Sequence, residues 1–403
     1  MLKILYLSPQ NVIPAIDGGK IGIYNPIKEL AKDFEVYFAY IDSSSIDTSD
    51  AYRVINVNPI RFYMDTNDSI SLVLKNIFEI IPFKMNKYFS KLFLHALVKL
   101  VQKIKIDLII TSHAHMARYA LEIKKVCNIP IFLREHNIEY QLVEHYVKYE
   151  KNIIKKIIAF WQALKTKKYE ISLWRKFDKV FFISDNDFNE AKKHIDINNK
   201  KYIVLYDGYE TKNNIIKRKY EKNSFIFTGS IKTIQNKINL SNFINNIWIH
   251  FLIKNPKSKL YITGNTDEVL VNNLGMSINE LKKLNIHNLG FVDNIDEVIL
   301  SKQFFISPTI IGSGIRIKVL HALSLGIPVI VTRIDYSMVR YFKDMENIIC
   351  YDCKDDFIEK IALLQKNLSM YDSIGSNAHL LMTNKLSWSV YTNNLISNLI
   401  IKV

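Results

Sequence analysis

The 403-residue chain is 48% hydrophobic and 23% charged, a globular composition with room for about two domains. Its formal net charge of +15 suits phosphate-bearing ligands, anionic headgroups or nucleic acid; no nucleic-acid module accompanies it, and the crowding of Ile, Asn and Lys reads as compositional bias. The three cysteines include a lone CxxC, Cys350 and Cys353, which gives neither a disulfide framework nor a zinc site, and no apolar run reaches the ~18 residues of a membrane span.

Met1-Leu2-Lys3 leads into Ile4-Leu5-Tyr6-Leu7, an apolar run too short for a signal-peptide core, so the expectation is a cytoplasmic protein. Lys3 to Ser8 reads instead as a buried parallel strand opening a doubly wound domain. Gly18-Gly19 follows before a helix near Ile21, as a plain turn or as a loop approaching a ligand closely. Further strands are predicted at Glu35–Tyr40, Asp107–Thr111, Ile129–Leu133, Asp178–Ser184 and Lys201–Leu205. Residues 42–50 read as loop, Ser69–Ile104 as helices broken near Pro82, and 138–177 as mostly helical. His113, His115, Arg134, Glu135 and His136 fall at strand tips, where open α/β sheets place ligand groups. The histidines are hydrogen-bonding or acid–base groups, or structural ones. Asp185-Asn186-Asp187 after Ser184 reads as a helix cap rather than a metal site.

Residues 209–223 are highly polar and read as a linker, and a second series of strands and helices then begins. Its strands are predicted at Phe225–Ser230, Lys259–Gly264 and Ile286–Phe291, with a helix at 239–253 and a last strand at Asn347–Tyr351. The most informative stretch runs from Ile306 to Thr332. Phe304-Phe305-Ile306 and Pro328-Val329-Ile330-Val331 are buried strands; Gly312-Ser313-Gly314 is a loop; Val319, Ala322 and Leu323 have helical spacing up to Gly326. A helix starting at the carboxyl edge of a parallel sheet is an anion site, and Arg316 and Lys318 in its first turn oppose the helix dipole unless a polyanion such as a diphosphate binds there.

The run Gly312-Ser313-Gly314-Ile315-Arg316-Ile317-Lys318-Val319-Leu320-His321-Ala322 resembles the donor-binding motif of retaining glycosyltransferases of family four (glycosyl transferases group 1), in particular a polysaccharide-biosynthesis subgroup. Arg134 to Tyr140, Arg-x-His-Asn-x-Glu-Tyr, recurs in that subgroup, and Tyr206-Asp207-Gly208 is similar to its Pro-Asn-Gly turn. The resemblance implies an α/β chain of GT-B fold, two doubly wound Rossmann-like domains facing across a cleft. It places an acceptor-side domain at 1–207, a linker at 208–223, a nucleotide-sugar domain at 224–384 and a terminal helix at 385–403 crossing back. The implied activity is metal-independent transfer of a sugar from a nucleotide-diphosphate sugar to a glycan or lipid-linked acceptor, with retention, in bacterial surface polysaccharide synthesis. No cofactor beyond that donor, and no nucleic-acid partner, is implied.

Under this resemblance Arg316 and Lys318 stabilise the leaving diphosphate, with His113 and His136 on the acceptor side. Gly18, Gly19, Gly229, Ser230, Lys232, Gly312, Ser313, Gly314, Ile315 and His321 contact the donor. The family's two acidic positions fall on Ser313 and His321, and neither is Glu here. A neutral imidazole at 321 accepts one ribose hydrogen bond or is a helix histidine satisfied elsewhere, and Lys232 is a diphosphate contact or a solvated lysine. Loss of the acids also leaves open a catalytically impaired sugar-nucleotide-binding subunit; another GT-B enzyme, such as an epimerase or phosphorylase, is the remaining alternative.

Two stretches combine lysines with an apolar face and predict peripheral attachment to an anionic inner-membrane surface. One spans Lys151 to Lys179, with Ile157, Ile158, Phe160, Trp161, Leu164 and Trp174. The other spans Lys84 to Ile106, with Phe89, Phe93, Leu97, Leu100 and Ile104 opposite its lysines.

Overall fold

A computed structural model describes residues 1–67, 70–196, 200–211 and 219–399. Ser69, most of the predicted linker (212–218) and the end of the predicted terminal helix (400–403) lie outside the described residues. The chain divides into two compact α/β units, each wound around its own parallel sheet. Met1–Asp207 form the first, together with Ser313–Ile315 and the residues from Tyr391 on; Gly208–Gly312 and Arg316–Val390 form the second.

The first sheet contains β1 (Lys3–Ser8), β2 (Glu35–Asp42), β3 (Val57–Tyr63), β4 (Leu108–Ser112), β5 (Ile131–Glu135), β6 (Lys179–Phe182) and β7 (Tyr202–Val204). Its order is β3-β2-β1-β4-β5-β6-β7, so the winding reverses between β1 and β4. Strand β3 escaped the sequence reading because Pro59 interrupts a half-polar run; at the sheet edge a missing N–H donor is tolerated. The core packs Leu5, Leu7, Ile109, Leu133 and Phe182 against helical Phe93, Leu97, Tyr119 and Trp174. Each such side chain contributes about 1.5–3 kcal/mol by burial.

This core settles one of the two amphipathic stretches. Lys84–Ile106 is not one helix: Ser90 caps a helix at Lys91–Ile104, and Phe93, Leu97 and Val101 are buried against the sheet. Its apolar face is therefore unavailable to a membrane. Residues 138–177 form two helices, Glu139–Tyr149 and Ile153–Lys176, the second capped by Asn152.

The second sheet contains β8 (Glu221–Thr228), β9 (Lys259–Thr263), β10 (Ile286–Asn288), β11 (Lys302–Ser307), β12 (Val329–Thr332) and β13 (Ile349–Tyr351). Its order is β10-β9-β8-β11-β12-β13, with the reversal between β8 and β11. Strand β8 begins at Glu221, inside the stretch read as linker. Its polar start is held by the Glu221 carboxylate, which accepts from Lys259 at 2.7 Å, Tyr261 at 2.7 Å and Lys302 at 3.1 Å. Phe225 stacks on Phe304 at 5.1 Å and meets Trp248 and Phe251 edge-on, which gives this core an aromatic centre. Cys350 is buried in β13 while Cys353 is exposed, so the CxxC pair is split between core and surface.

Candidate functional site

Ligands of open α/β sheets bind at the carboxyl ends of the strands flanking the reversal. In the second unit these are the tips of β8 and β11, followed by Gly229–Lys232 and by the loop leading to the helix Ile317–Ser324. Gly229 has φ +122°, and a Cβ there would lie 3.3 Å from Asn236 Nδ2 and 3.9 Å from Lys318 Nζ. The loop is pinned by Asn265, whose amide donates to Gly229 O at 3.1 Å and whose Oδ1 accepts from Ile231 N at 2.8 Å. Asn236 donates to Ser230 O at 2.8 Å. On the other side, Asn239 holds Ile310 and Ile311 through both backbone amides, at 2.9 and 3.0 Å. Asparagines thus shape both loops, a role that spacing alone does not disclose.

Arg316 is the residue before the helix rather than in its first turn, with φ −88° and ψ 101°. This extended conformation lets its guanidinium fold back over Gly312. That glycine has φ +142°, and a Cβ on it would fall 1.7 Å from Arg316 Nη2. Arg316 Nε lies 3.5 Å from Asp335 Oδ1. The other Asp335 oxygen accepts from Ser307 Oγ at 2.6 Å and Thr309 Oγ1 at 2.8 Å. Asp335 is 1% exposed and was missed in the sequence; its signal was an acid three residues past the tip of β12. It is the buried anchor that ties Arg316 to the tip of β11.

Lys318, in the helix, turns its Nζ toward Thr228 O at 3.2 Å and Asn236 Oδ1 at 3.4 Å, 4.1 Å from the Phe227 ring centroid. Burial, reinforced by the Arg316 charge and opposed by Asp335, pulls its ammonium from 10.5 down to about 7. Two cations therefore converge on one strand-tip loop, next to backbone amides at a helix N-terminus. Lys232 is exposed, and Ser313 and Ile315 are buried. Gly314 takes φ +73°.

His321 has partners of its own. Its Nε2 is 2.7 Å from Asp296 Oδ1, and its ring stacks on Tyr209 at 4.6 Å and 19°. Its ring is thus held by partners within the protein. Neither Asp296 nor Tyr209 was singled out from the sequence.

At the carboxyl edge of the first sheet, Gly18 and Gly19 are the first two residues of the helix Gly18–Leu30, capped by Asp17, rather than a loop before it. The alternation of β5 divides the expected Arg134–Glu135–His136 cluster. Arg134 pairs with buried Asp207 and contacts His136, while Glu135 points to the other face and accepts from Trp174 Nε1 at 2.9 Å. Burial pushes the Glu135 carboxyl up to about 8. His136 Nε2 is 2.7 Å from Ser112 Oγ, and the His113 ring lies parallel to it at 3.9 Å. His113 holds φ +68°, costly for a residue with a Cβ.

Burial and neighbouring charges hold these imidazoles neutral. His113 falls to about 3 through burial first and then His115, while His115 falls to about 3 through burial, Lys84 and Lys87. His136 also lies well below the ordinary histidine value, through burial, Arg134 and His113. Near neutral pH they are therefore hydrogen-bonding groups rather than titrating ones. Gly22, unremarked in the sequence, packs here: a Cβ on it would lie 3.0 Å from Asp207 Oδ2 and 3.5 Å from His136 Cε1. Ser184 caps the helix Asp185–Ala191, its Oγ accepting from Asp187 N at 3.1 Å.

Two doubly wound units, the second with a cationic strand-tip loop, define a protein of the GT-B glycosyltransferase architecture. Comparison with known proteins points the same way. Residues 222–367 match the family described as Glycosyl transferases group 1. The chain is 22% identical over 388 residues to an uncharacterized 44.6 kDa protein in the cps region of Klebsiella pneumoniae, covering 94% of this chain and 95% of that one. Among solved structures it is similar to HepE of Anabaena in complex with UDP, with a TM-score of 0.68, 12% identity and 99% of each chain covered. It is also similar to TarM, with a TM-score of 0.70, 11% identity and 98% of each chain covered. These likenesses support a GT-B glycosyltransferase.

Proposed function

We propose that this chain transfers a sugar from a nucleotide-diphosphate sugar to a glycan or lipid-linked acceptor in the synthesis of a bacterial surface polysaccharide. The observation that carries this reading is the convergence of Arg316 and Lys318 on the loop at the tips of β8 and β11, anchored by Asp335. When the bond from the sugar to the diphosphate breaks, negative charge grows on the leaving phosphate oxygen. Fixed cations and amides aimed at that charge stabilise the transition state without reorganising, by several kcal/mol. The similarity to HepE in complex with UDP, and to a protein from a cps region, supports the donor class and the pathway class.

In this reading the cations of the chain neutralise the leaving group themselves, so transfer is metal-independent. The neutral histidines of the first unit, His113 and His136, orient acceptor hydroxyls. Retention follows from the resemblance of the motif around Arg316 and Lys318 to retaining enzymes. The test is a panel of nucleotide sugars screened by thermal shift and donor hydrolysis, with and without chelator, followed by NMR of the product anomer. Stabilisation by a nucleotide sugar that Arg316→Ala and Lys318→Ala both lose is expected. Stabilisation unchanged in both variants would place the donor elsewhere, and binding without turnover would make the chain a nucleotide-sugar-binding subunit.

A further inference from the structure

The helix Ile153–Lys176 has a buried face, formed by Ala159, Ala163, Thr166, Glu170, Leu173 and Trp174. On the opposite face, its first three turns expose Ile153, Ile154, Ile157, Phe160, Trp161 and Leu164, with exposures from 47% to 67%. Core packing explains none of these. Beside them lies the segment before Phe83, held to the helix by Lys165 Nζ, which donates to Asn76 O at 2.6 Å and Ile77 O at 3.0 Å. Gln162 completes the attachment, donating to Asn76 Oδ1 at 3.1 Å and accepting from Phe83 N at 3.0 Å. This attachment sets Phe78 and Ile80, 93% and 89% exposed, next to the helical stripe. Single exposed apolar residues are ordinary on a protein surface; a contiguous stripe of large ones marks an interaction surface.

The charge around the stripe selects the partner. From Lys151 to Tyr169 the sequence carries no acid and has lysines at 151, 155, 156, 165, 167 and 168. Further along the same helix a groove of about 1120 Å³ opens, with Arg118, Lys165, Lys168 and Lys176 among its walls and Ile80, Ile81 and Leu121 providing apolar lining. A second copy of the chain on this face would bring lysines against lysines, since a two-fold interface meets itself. An anionic bilayer satisfies both features: acyl chains receive the apolar stripe, and headgroup phosphates receive the lysines.

We propose that this face, from Phe78 and Ile80 across Ile157, Phe160 and Trp161, seats the protein on an anionic phospholipid membrane, with headgroup phosphates entering the groove at Lys165 and Lys168. The surface belongs to the first unit and Arg316 and Lys318 to the second, and the proposal does not depend on the donor reading.

The chain supplies its own reporter. Of its four tryptophans, Trp174 and Trp248 are 0% and Trp388 is 3% exposed, whereas Trp161 is 59% exposed. The experiment mixes the full chain with vesicles of phosphatidylcholine alone or with added phosphatidylglycerol, at low and high salt. Sedimentation and tryptophan emission are both followed. The expected result is co-sedimentation with anionic vesicles, a blue shift and loss of iodide quenching, weakened about tenfold by high salt and about tenfold weaker on neutral vesicles.

Trp161→Phe should keep the binding and lose the shift. The double variant Ile157→Ser/Phe160→Ser should keep its thermal unfolding and its stabilisation by nucleotide sugars, yet bind anionic vesicles at least about tenfold more weakly. Equal or negligible binding to both vesicle types overturns the proposal, as does unchanged binding by the double variant. A dimer in ultracentrifugation that the double variant breaks would assign the face to a second copy and overturn it equally.

Discussion

Lys318 offers the most direct test of the donor loop, because its free-state pKa of about 7 makes diphosphate affinity depend on pH where most proteins are stable. A diphosphate binds the ammonium form, so binding is strongest below that value and is lost as pH rises through it. With a pKa near 7 the ammonium is roughly three-quarters populated at pH ~6.5 and about 3% populated at pH ~8.5. Affinity should therefore fall about twentyfold, equivalent to about 1.8 kcal/mol, over those two pH units. UDP-glucose is a suitable probe, since its diphosphate is esterified at both ends and does not titrate in this range. Calorimetry in buffers of different ionisation enthalpy should show proton uptake above pH 7. Lys318→Arg keeps its charge at all these pH values and should flatten the profile. Ligand-free stability runs the other way: between about 7 and 10.5 the unfolded chain holds a proton that the folded chain has released, so stability rises with pH across that window. A flat affinity profile in the parent protein, or the same slope in Lys318→Arg, would refute the assignment.

Asp335→Ala removes the acceptor of Ser307 and Thr309 and the partner of Arg316; unfolding should shift by about 2–4 kcal/mol and donor affinity should fall with it, measured by denaturant melts and calorimetry. Gly312→Ala drives a Cβ into the Arg316 guanidinium and strains φ +142°, so donor binding should be lost while circular dichroism stays that of the parent. His321→Glu places a carboxylate against Asp296, now 2.7 Å away, and should cost about 1–2 kcal/mol that Asp296→Asn recovers in a double-mutant cycle. If the single variant is neutral, the His321–Asp296 contact carries no energy.

Much of the architecture was legible because both sheets are parallel and buried, and such strands are written as short apolar runs with fixed punctuation. Phe304 to Ile306 and Val329 to Val331 announce themselves in this way, and so does the glycine loop between them. The features that escaped are those in which a strand does not look apolar. Val57–Tyr63 is an edge strand carrying Pro59, and the start of β8 is held by ion pairs to Glu221. At the site, Arg316 and Lys318 were legible as cations opposing a dipole. Their anchor Asp335 and the shaping asparagines 236, 239 and 265 were not, because their role depends on which loops the fold brings within hydrogen-bonding distance. Of the two basic amphipathic stretches, one turns its apolar face to the sheet; the other buries Trp174 and exposes Ile157, Phe160, Trp161 and Leu164. Periodicity reports that a face exists; only the neighbouring elements decide what covers it.

The two strand-tip sites differ in their treatment of charge, and that difference separates their ligands. In the first unit, Arg134 is fully buried and spent on Asp207, and burial strips the adjacent histidines of their protons. What that site presents is a set of neutral donors and acceptors, suited to hydroxyl groups and poorly suited to a phosphate. In the second unit, Arg316 lies beside the Asp335 carboxylate, one oxygen of which serves Ser307 and Thr309, and Lys318 turns to Thr228 O and Asn236 Oδ1. Burial first, and then the Arg316 charge, pull the Lys318 ammonium down to about 7. A diphosphate bound beside Lys318 would favour its ammonium form. In the proposed reading, these cations stand where the leaving phosphate needs them.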